Sequence, residues 1–345
     1  MIAESEPQVS EGSVTFRLPD GDAALTGVRL LPALSLPHSD LEFTFADGQW
    51  TLTMDRPPVH RMEYRVQLRH PDLEEICDPN NPLRAPGAFG DKSVVEFPDY
   101  VAPQWLDHED HGHVEDLDID APLLGRKVAV RLWETGPGSQ PLLVAHDGPE
   151  YDRLAGLTRY AGAQIAAGTL PPFRVALLAP GDRDDEYAAN PRYAATLHQR
   201  VLPTLRHTTE IRDPVVGMGA SLGGLAMLHA QRVLPGLFGG LFLQSASFLT
   251  VDLDPQEQHR FSRFGQVSVY VADVLRTLPA ETVPVTLTCG LAEENLANNR
   301  QMAVTLRKQG YGAMLVEVPD AHNYVGWRDA FHPALTDLLR EVWTV

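Results

Sequence analysis

The sequence predicts a chain in two parts, a β-rich unit followed by a mainly parallel α/β sheet with helices on both faces. Three observations point there. Short runs with period-2 alternation, punctuated by turns, fill the first hundred residues. Apolar strands alternating with helical patterns fill the remainder, which calls for crossover connections. The charge also changes along the chain. Residues 1–120 carry 24 acidic and 8 basic side chains, whereas residues 121–345 carry 22 and 20. An asymmetry of this size suits two units with different surfaces.

In the first part, Val14–Leu18, Leu41–Phe45, Trp50–Met54 and Met62–Leu68 alternate apolar and polar residues. Ala46-Asp47-Gly48 reads as a hairpin turn between two of them. Strands and turns at this density predict a small β-sandwich over residues 1–106. The proline- and glycine-bearing stretch Asp78–Gly90 reads as a loop. Residues 107–120 hold seven acids, three histidines and no Lys or Arg, and read as a solvated acidic linker. His108, His111 and His113 lack a regular element to converge them on a metal.

In the second part, residues 121–345, strands are expected at Val128–Trp133, Pro141–Ala145, Phe173–Ala179, Val215–Met218, Gly240–Gln244, Val283–Thr288 and Ala313–Val318. Leu154, Leu157, Ala161 and Ile165 share one helical face. Asn190-Pro191 opens a further helix, with Asn as cap and Pro at its first position. Helices are also expected at Leu222–Val233 and Asn295–Gln309.

Composition excludes several classes. The net charge of -18 opposes nucleic-acid binding and docking on anionic membranes. No apolar run reaches the ~18 residues of a membrane span. Met1–Glu6 has neither a basic nor an apolar leader segment, so the expected location is the cytoplasm.

Gly219-Ala220-Ser221-Leu222-Gly223 matches G-x-S-x-G between an apolar strand and an Ala/Leu-rich helix. That setting makes Ser221 the candidate nucleophile, pushed out by a sharp strand-to-helix turn. A serine nucleophile needs a histidine base oriented by a carboxylate. In α/β-hydrolases the chain order is Ser, acid, His. His322, in the loop after Ala313–Val318, is the candidate base, because His229 lies inside the helix that follows Ser221. Glu293, just past the strand ending at Gly290, is the preferred acid, with Glu294 beside it. Leu222 N–H and Gly148, before Pro149, are the candidate oxyanion donors.

These residues resemble a known family. Asp147-Gly148, the Ser221 motif, Gly290-Leu291-Ala292-Glu293 and His322-Asn323-Tyr324-Val325-Gly326-Trp327-Arg328 are similar to the putative-esterase group of α/β-hydrolases, and more closely to enterochelin (ferric enterobactin) esterases. Arg183-Asp184-Asp185-Glu186-Tyr187 resembles a loop of that family, and Trp327-Arg328 its pair after the histidine. The β-rich unit, with Asp78-Pro79-Asn80-Asn81-Pro82, is similar to their immunoglobulin-like domain. The resemblance implies a Ser221–Glu293–His322 triad, an acyl-enzyme, and no metal or cofactor in catalysis. It implies a small-molecule ester substrate, in the siderophore branch a catecholate trilactone or its ferric complex. Arg183, Glu186, Tyr151 and Trp327 are the substrate-binding residues it suggests. General carboxylic or feruloyl-type esters, and acyl transfer on the same scaffold, stay open as alternatives.

Overall fold

The computed structural model describes residues 6–34 and 41–344. The stretch read for a secretion signal, Met1–Glu6, lies outside the described residues except for Glu6. The chain divides into two compact units. The first comprises Met1–Ala102 together with the segments Gly290–Glu293 and Val318–Gly326. The second comprises Pro103–Cys289, Glu294–Glu317 and Trp327–Val345.

The first unit is a β-sandwich. Ser13–Pro19 pairs antiparallel with Gln49–Asp55, flanked by Gln8–Val9 and Thr44–Ala46. The second sheet orders Gly27–Pro32, Arg61–His70, Lys92–Glu96 and Arg84–Ala85, with Asp72–Ile76 also paired to Arg61–His70. Val14, Phe16 and Leu52 of one sheet share a core with Val28, Leu30, Met62, Tyr64 and Val95 of the other. Alternation puts every second residue inward, which is why the period-2 runs were legible. The expected strand Leu41–Phe45 forms only at Thr44–Ala46, while Glu42 makes an isolated bridge to Arg29.

The Tyr64 hydroxyl links two residues of the Asp78–Pro82 turn to this core. Tyr64 Oη donates to Asp78 Oδ2 at 2.7 Å and accepts from Asn81 Nδ2 at 3.0 Å. All three residues are buried.

The second unit is built on one eight-stranded sheet. Its strands, numbered within this sheet, are β1 (His113–Ala121), β2 (Arg126–Glu134), β3 (Gln140–His146), β4 (Arg174–Leu178), β5 (Ile211–Ala220), β6 (Gly240–Gln244), β7 (Val285–Gly290) and β8 (Ala313–Val318). Their spatial order is β1-β2-β4-β3-β5-β6-β7-β8. β1, β2 and β4 pair antiparallel, and the run from β4 to β7 is parallel. β3, β4, β6 and β7 are buried along their whole length, which explains the continuous apolar interiors of the first three.

Two expectations need correction. Residues 113–120 are not linker: they form the edge strand β1, with Leu117, Ile119 and Ala121 turned inward and Asp116, Asp118 and Asp120 exposed. The acids hid a period-2 pattern, and charge on an exposed edge also discourages strand addition. The helix expected through Leu154 and Ile165 is two helices, Gly148–Ala155 and Leu157–Ala166, broken where Gly156 takes φ +63°. Helices at Phe264–Val274 and Thr336–Trp343 went unread. Leu222–Val233 forms as expected, and Asn190 caps the helix Pro191–Thr196 by accepting from Arg192 N–H. Among the described residues no helix is long and apolar enough to cross a membrane.

Replacing Tyr64 with Phe keeps the ring in the core but leaves Asp78 and Asn81 short of a partner. Chemical denaturation should show the first unit destabilised by roughly 1–3 kcal/mol, the usual cost of an unsatisfied buried polar group.

Candidate active site

The Ser221 turn is a sharp elbow between β5 and the helix Leu222–Val233. Ser221 adopts φ +54° and ψ −126°, left-handed backbone that a side chain rarely takes. Its neighbours make that possible. A Cβ at Gly219 would lie 2.5 Å from the Gly223 carbonyl, and one at Gly223 would lie 3.2 Å from His146 Cβ. The glycines of the motif are therefore close-approach residues. Gln244 O accepts from Ser221 N at 2.9 Å, and Ser221 O accepts from Ser247 N at 3.0 Å. Ser221 Oγ lies 3.1 Å from Ser247 Oγ.

Ser247 was not anticipated. It is buried in the loop after β6, where a polar run, Gln244-Ser245-Ala246-Ser247, directly follows an apolar strand. That switch was the only signal of it. Ser245 in the same loop accepts from Trp327 Nε1 at 2.9 Å, and its carbonyl accepts from Asn295 at 3.1 Å.

Behind the elbow, His146 at the end of β3 is fully buried. Its Nδ1 donates to Gly223 O across 2.9 Å, and its ring stacks on Tyr187 at 4.6 Å. Burial pushes its pKa down to about 4, so it is a neutral support for the turn. Leu222 opens the elbow helix, and Gly148 opens the helix Gly148–Ala155. The first amides of a helix have no acceptor within it, which applies to the N–H groups at both positions. Gly148 is also required by packing, since a Cβ there would run into the Leu177 backbone.

The residues expected at the substrate have protein partners in the fold. Arg183 donates twice to Asp147, at 2.8 Å each, and lies over the Tyr187 ring. Glu186 is buried and paired with Arg126, and also accepts from Gly181 N. Tyr151 is fully buried and donates to Gln244 Oε1 at 2.9 Å. Trp327 is buried on Ser245. Glu186, Tyr151 and Trp327 are thus each bonded to protein partners, as buried polar groups are. Pairings of this kind across the sheet leave no local mark in the sequence.

Glu293 and His322 come together within the first unit. Glu293 Oε2 lies 3.0 Å from His322 Nδ1, and its Oε1 accepts from Gly290 N at 2.8 Å. The Glu293 side chain is 1% exposed and that of His322 39%. A buried carboxylate at Nδ1 keeps the proton on that nitrogen, leaving the Nε2 lone pair as the basic one. The two loops are zipped together, with Leu291 N donating to Val318 O at 2.8 Å and Ala292 N to Asp320 O at 3.3 Å. Gly290 is needed here, because a Cβ would strike Asp320 O.

A parallel sheet in this strand order, carrying a strained serine on the turn after β5, defines an α/β-hydrolase. The family model for Putative esterase matches residues 123–338, and the chain belongs to that esterase family. Its fold is similar along 99% of its length to the enterobactin esterase of Shigella flexneri, solved in the presence of enterobactin, with a TM-score of 0.80, 20% identity and 97% of that chain covered. The ferric enterobactin esterase of Salmonella typhimurium is similar too, at TM-score 0.76 and 19% identity over 98% of this chain and 97% of that one. A ferulic acid esterase matches 66% of this chain and 98% of its own, at TM-score 0.53 and 15% identity. No curated protein matches the sequence.

Because a Cβ at position 219 has no free space, Gly219→Ala should destabilise the second unit by roughly 1–3 kcal/mol, as overpacking does. Denaturant titration checks this, and Ser221 should react more slowly with a fluorophosphonate in the same variant.

Proposed function

We propose that this esterase cleaves carboxylic esters through an acyl-enzyme, with Ser221 as nucleophile, His322 as base and Glu293 as the acid that orients it. The observation that carries the reading is the buried Glu293 carboxylate 3.0 Å from His322 Nδ1, which reserves Nε2 for proton transfer. Chain order and the strained turn make Ser221 the group that Nε2 serves. His322 takes the Ser221 proton as Oγ attacks the ester carbonyl. The N–H groups of Leu222 and Gly148 stabilise the oxyanion. His322 then protonates the departing alcohol, and water repeats the sequence to free the acid. Glu293 stays ionised throughout and balances the imidazolium. Arg183, held beside the Gly148 turn by Asp147, is the side chain we assign to an anionic substrate group.

For the substrate we propose esters of the catecholate siderophore type, including the ferric complex as cargo. Full-length similarity to enterobactin esterases, one solved with 2,3-dihydroxy-N-benzoyl-serine, supports this choice. Feruloyl-type esters are the second reading, supported by the fold shared with a ferulic acid esterase.

A panel of enterobactin, its ferric complex, feruloyl esters and p-nitrophenyl acetate tests the substrate class. The trilactone should have the highest kcat/KM, and preference for feruloyl esters would favour the second reading. Products formed with added acceptor alcohols would reveal acyl transfer instead. Ser221→Ala and His322→Ala should each lower kcat by at least about 10⁴-fold. Glu293→Gln should lower it about 10²–10⁴-fold, by favouring the wrong imidazole tautomer. Full activity in Ser221→Ala would end the proposed mechanism.

A further inference from the structure

Arg61 opens the strand Arg61–His70 of the β-sandwich and is 3% exposed. A guanidinium so deeply buried needs partners for its charge and its N–H groups. One is Glu63 on the same strand, whose Oε1 lies 3.0 Å from Arg61 Nη1 and whose Oε2 pairs with Lys92 at 3.2 Å. The others lie in the segment that carries His322. Arg61 Nη1 donates to Asn323 Oδ1 at 3.3 Å and lies 3.8 Å from Asp320 Oδ2.

Asp320 and Asn323 in turn brace that segment. Asp320 Oδ1 accepts from Ala321 N at 2.7 Å and from Asn323 Nδ2 at 2.8 Å. Asn323 Oδ1 also accepts from Gly326 N at 2.8 Å. The preceding backbone is fixed as well, with His60 N donating to Pro319 O at 2.7 Å. His322 stands between two buried residues of this network and is itself exposed. The ring that must move a proton is aimed by its Glu293 contact together with the backbone this network holds.

We infer that Arg61 is a positioning residue for His322: it locks the Asp320–Asn323 segment and so sets the direction of the imidazole. The inference rests on His322 being the base. It assigns the β-sandwich a part in catalysis without any contact between Arg61 and substrate. A guanidinium suits the task because the two N–H groups of its Nη1 point in fixed in-plane directions, toward Glu63 and Asn323, whereas an ammonium keeps the charge but not the geometry.

The test uses the full chain. Arg61→Lys retains the buried charge, and Asn323→Ala removes the acceptor from the other side should the first variant fold poorly. Each should lower kcat about 10- to 100-fold, the scale of a small misplacement of a catalytic group, with KM within about twofold. The double variant should lose no more than the worse single one, since both cut the same contact. The low-field N–H resonance of His322, identified by its absence in His322→Ala, should shift in both single variants. Unchanged kcat in either folded variant, multiplicative losses in the double, or an unmoved resonance would overturn the inference. The resonance reads the imidazole whatever Ser221 does. Failure of the triad, seen as activity in Ser221→Ala, is thus separable from failure of the Arg61 contact.

Discussion

A side chain at φ +54° and ψ −126° is costly, and the second unit is organised so that Ser221 has no other choice. Conformations of this kind cost about 1–3 kcal/mol and persist only when surrounding structure over-determines them. Here the fully buried end of β5 fixes one side and the helix Leu222–Val233 the other. The backbone of Ser221 is bonded to Gln244 and Ser247, and the glycines leave no space in which the turn could relax. His146, neutral by burial, supports the turn from behind through Gly223 O. The rigidity of the sheet becomes, at this one residue, a half-buried hydroxyl held at a strained turn.

The acid and base obey a different constraint. Their loops follow β7 and β8 in the chain but belong to the compact body of the first unit. Ala292, next to Glu293, is part of the sandwich core. The segment around His322 is held by Arg61, Asp320 and Asn323. Burial raises the Asp320 pKa to about 6, against the opposing pull of Arg61. A charged network of this kind is sensitive to the loss of any member, because the remaining charges stay buried. It also accounts for an Arg and a Glu at the start of a strand that otherwise reads as core.

The chain's acidity also takes on a location. Most of the -18 charge falls before residue 121, and part of it lines the exposed face of β1. The acidic run hid this strand, since Asp116, Asp118 and Asp120 dominate the composition while Leu117, Ile119 and Ala121 alternate beneath them. Elsewhere the pattern was plain. Continuous apolar runs marked β3, β4 and β6, because strands buried on both faces tolerate little else. The pair of helices broken at Gly156 read as one, since apolar spacing does not register a left-handed glycine.

The sequence by itself determined the sandwich, the α/β sheet, the elbow and the chain order of Ser221, Glu293 and His322. Those depend on local periodicity and on glycines that a turn requires, and both are written in consecutive residues. The tertiary structure decided the rest. It brought Glu293 to His322, committed Arg183 to Asp147 and Glu186 to Arg126, placed Ser247 beside Ser221, and set Arg61 against Asn323, 262 positions away in the chain. Partners of buried polar groups are chosen by proximity in the folded chain, and a linear pattern carries no record of that choice.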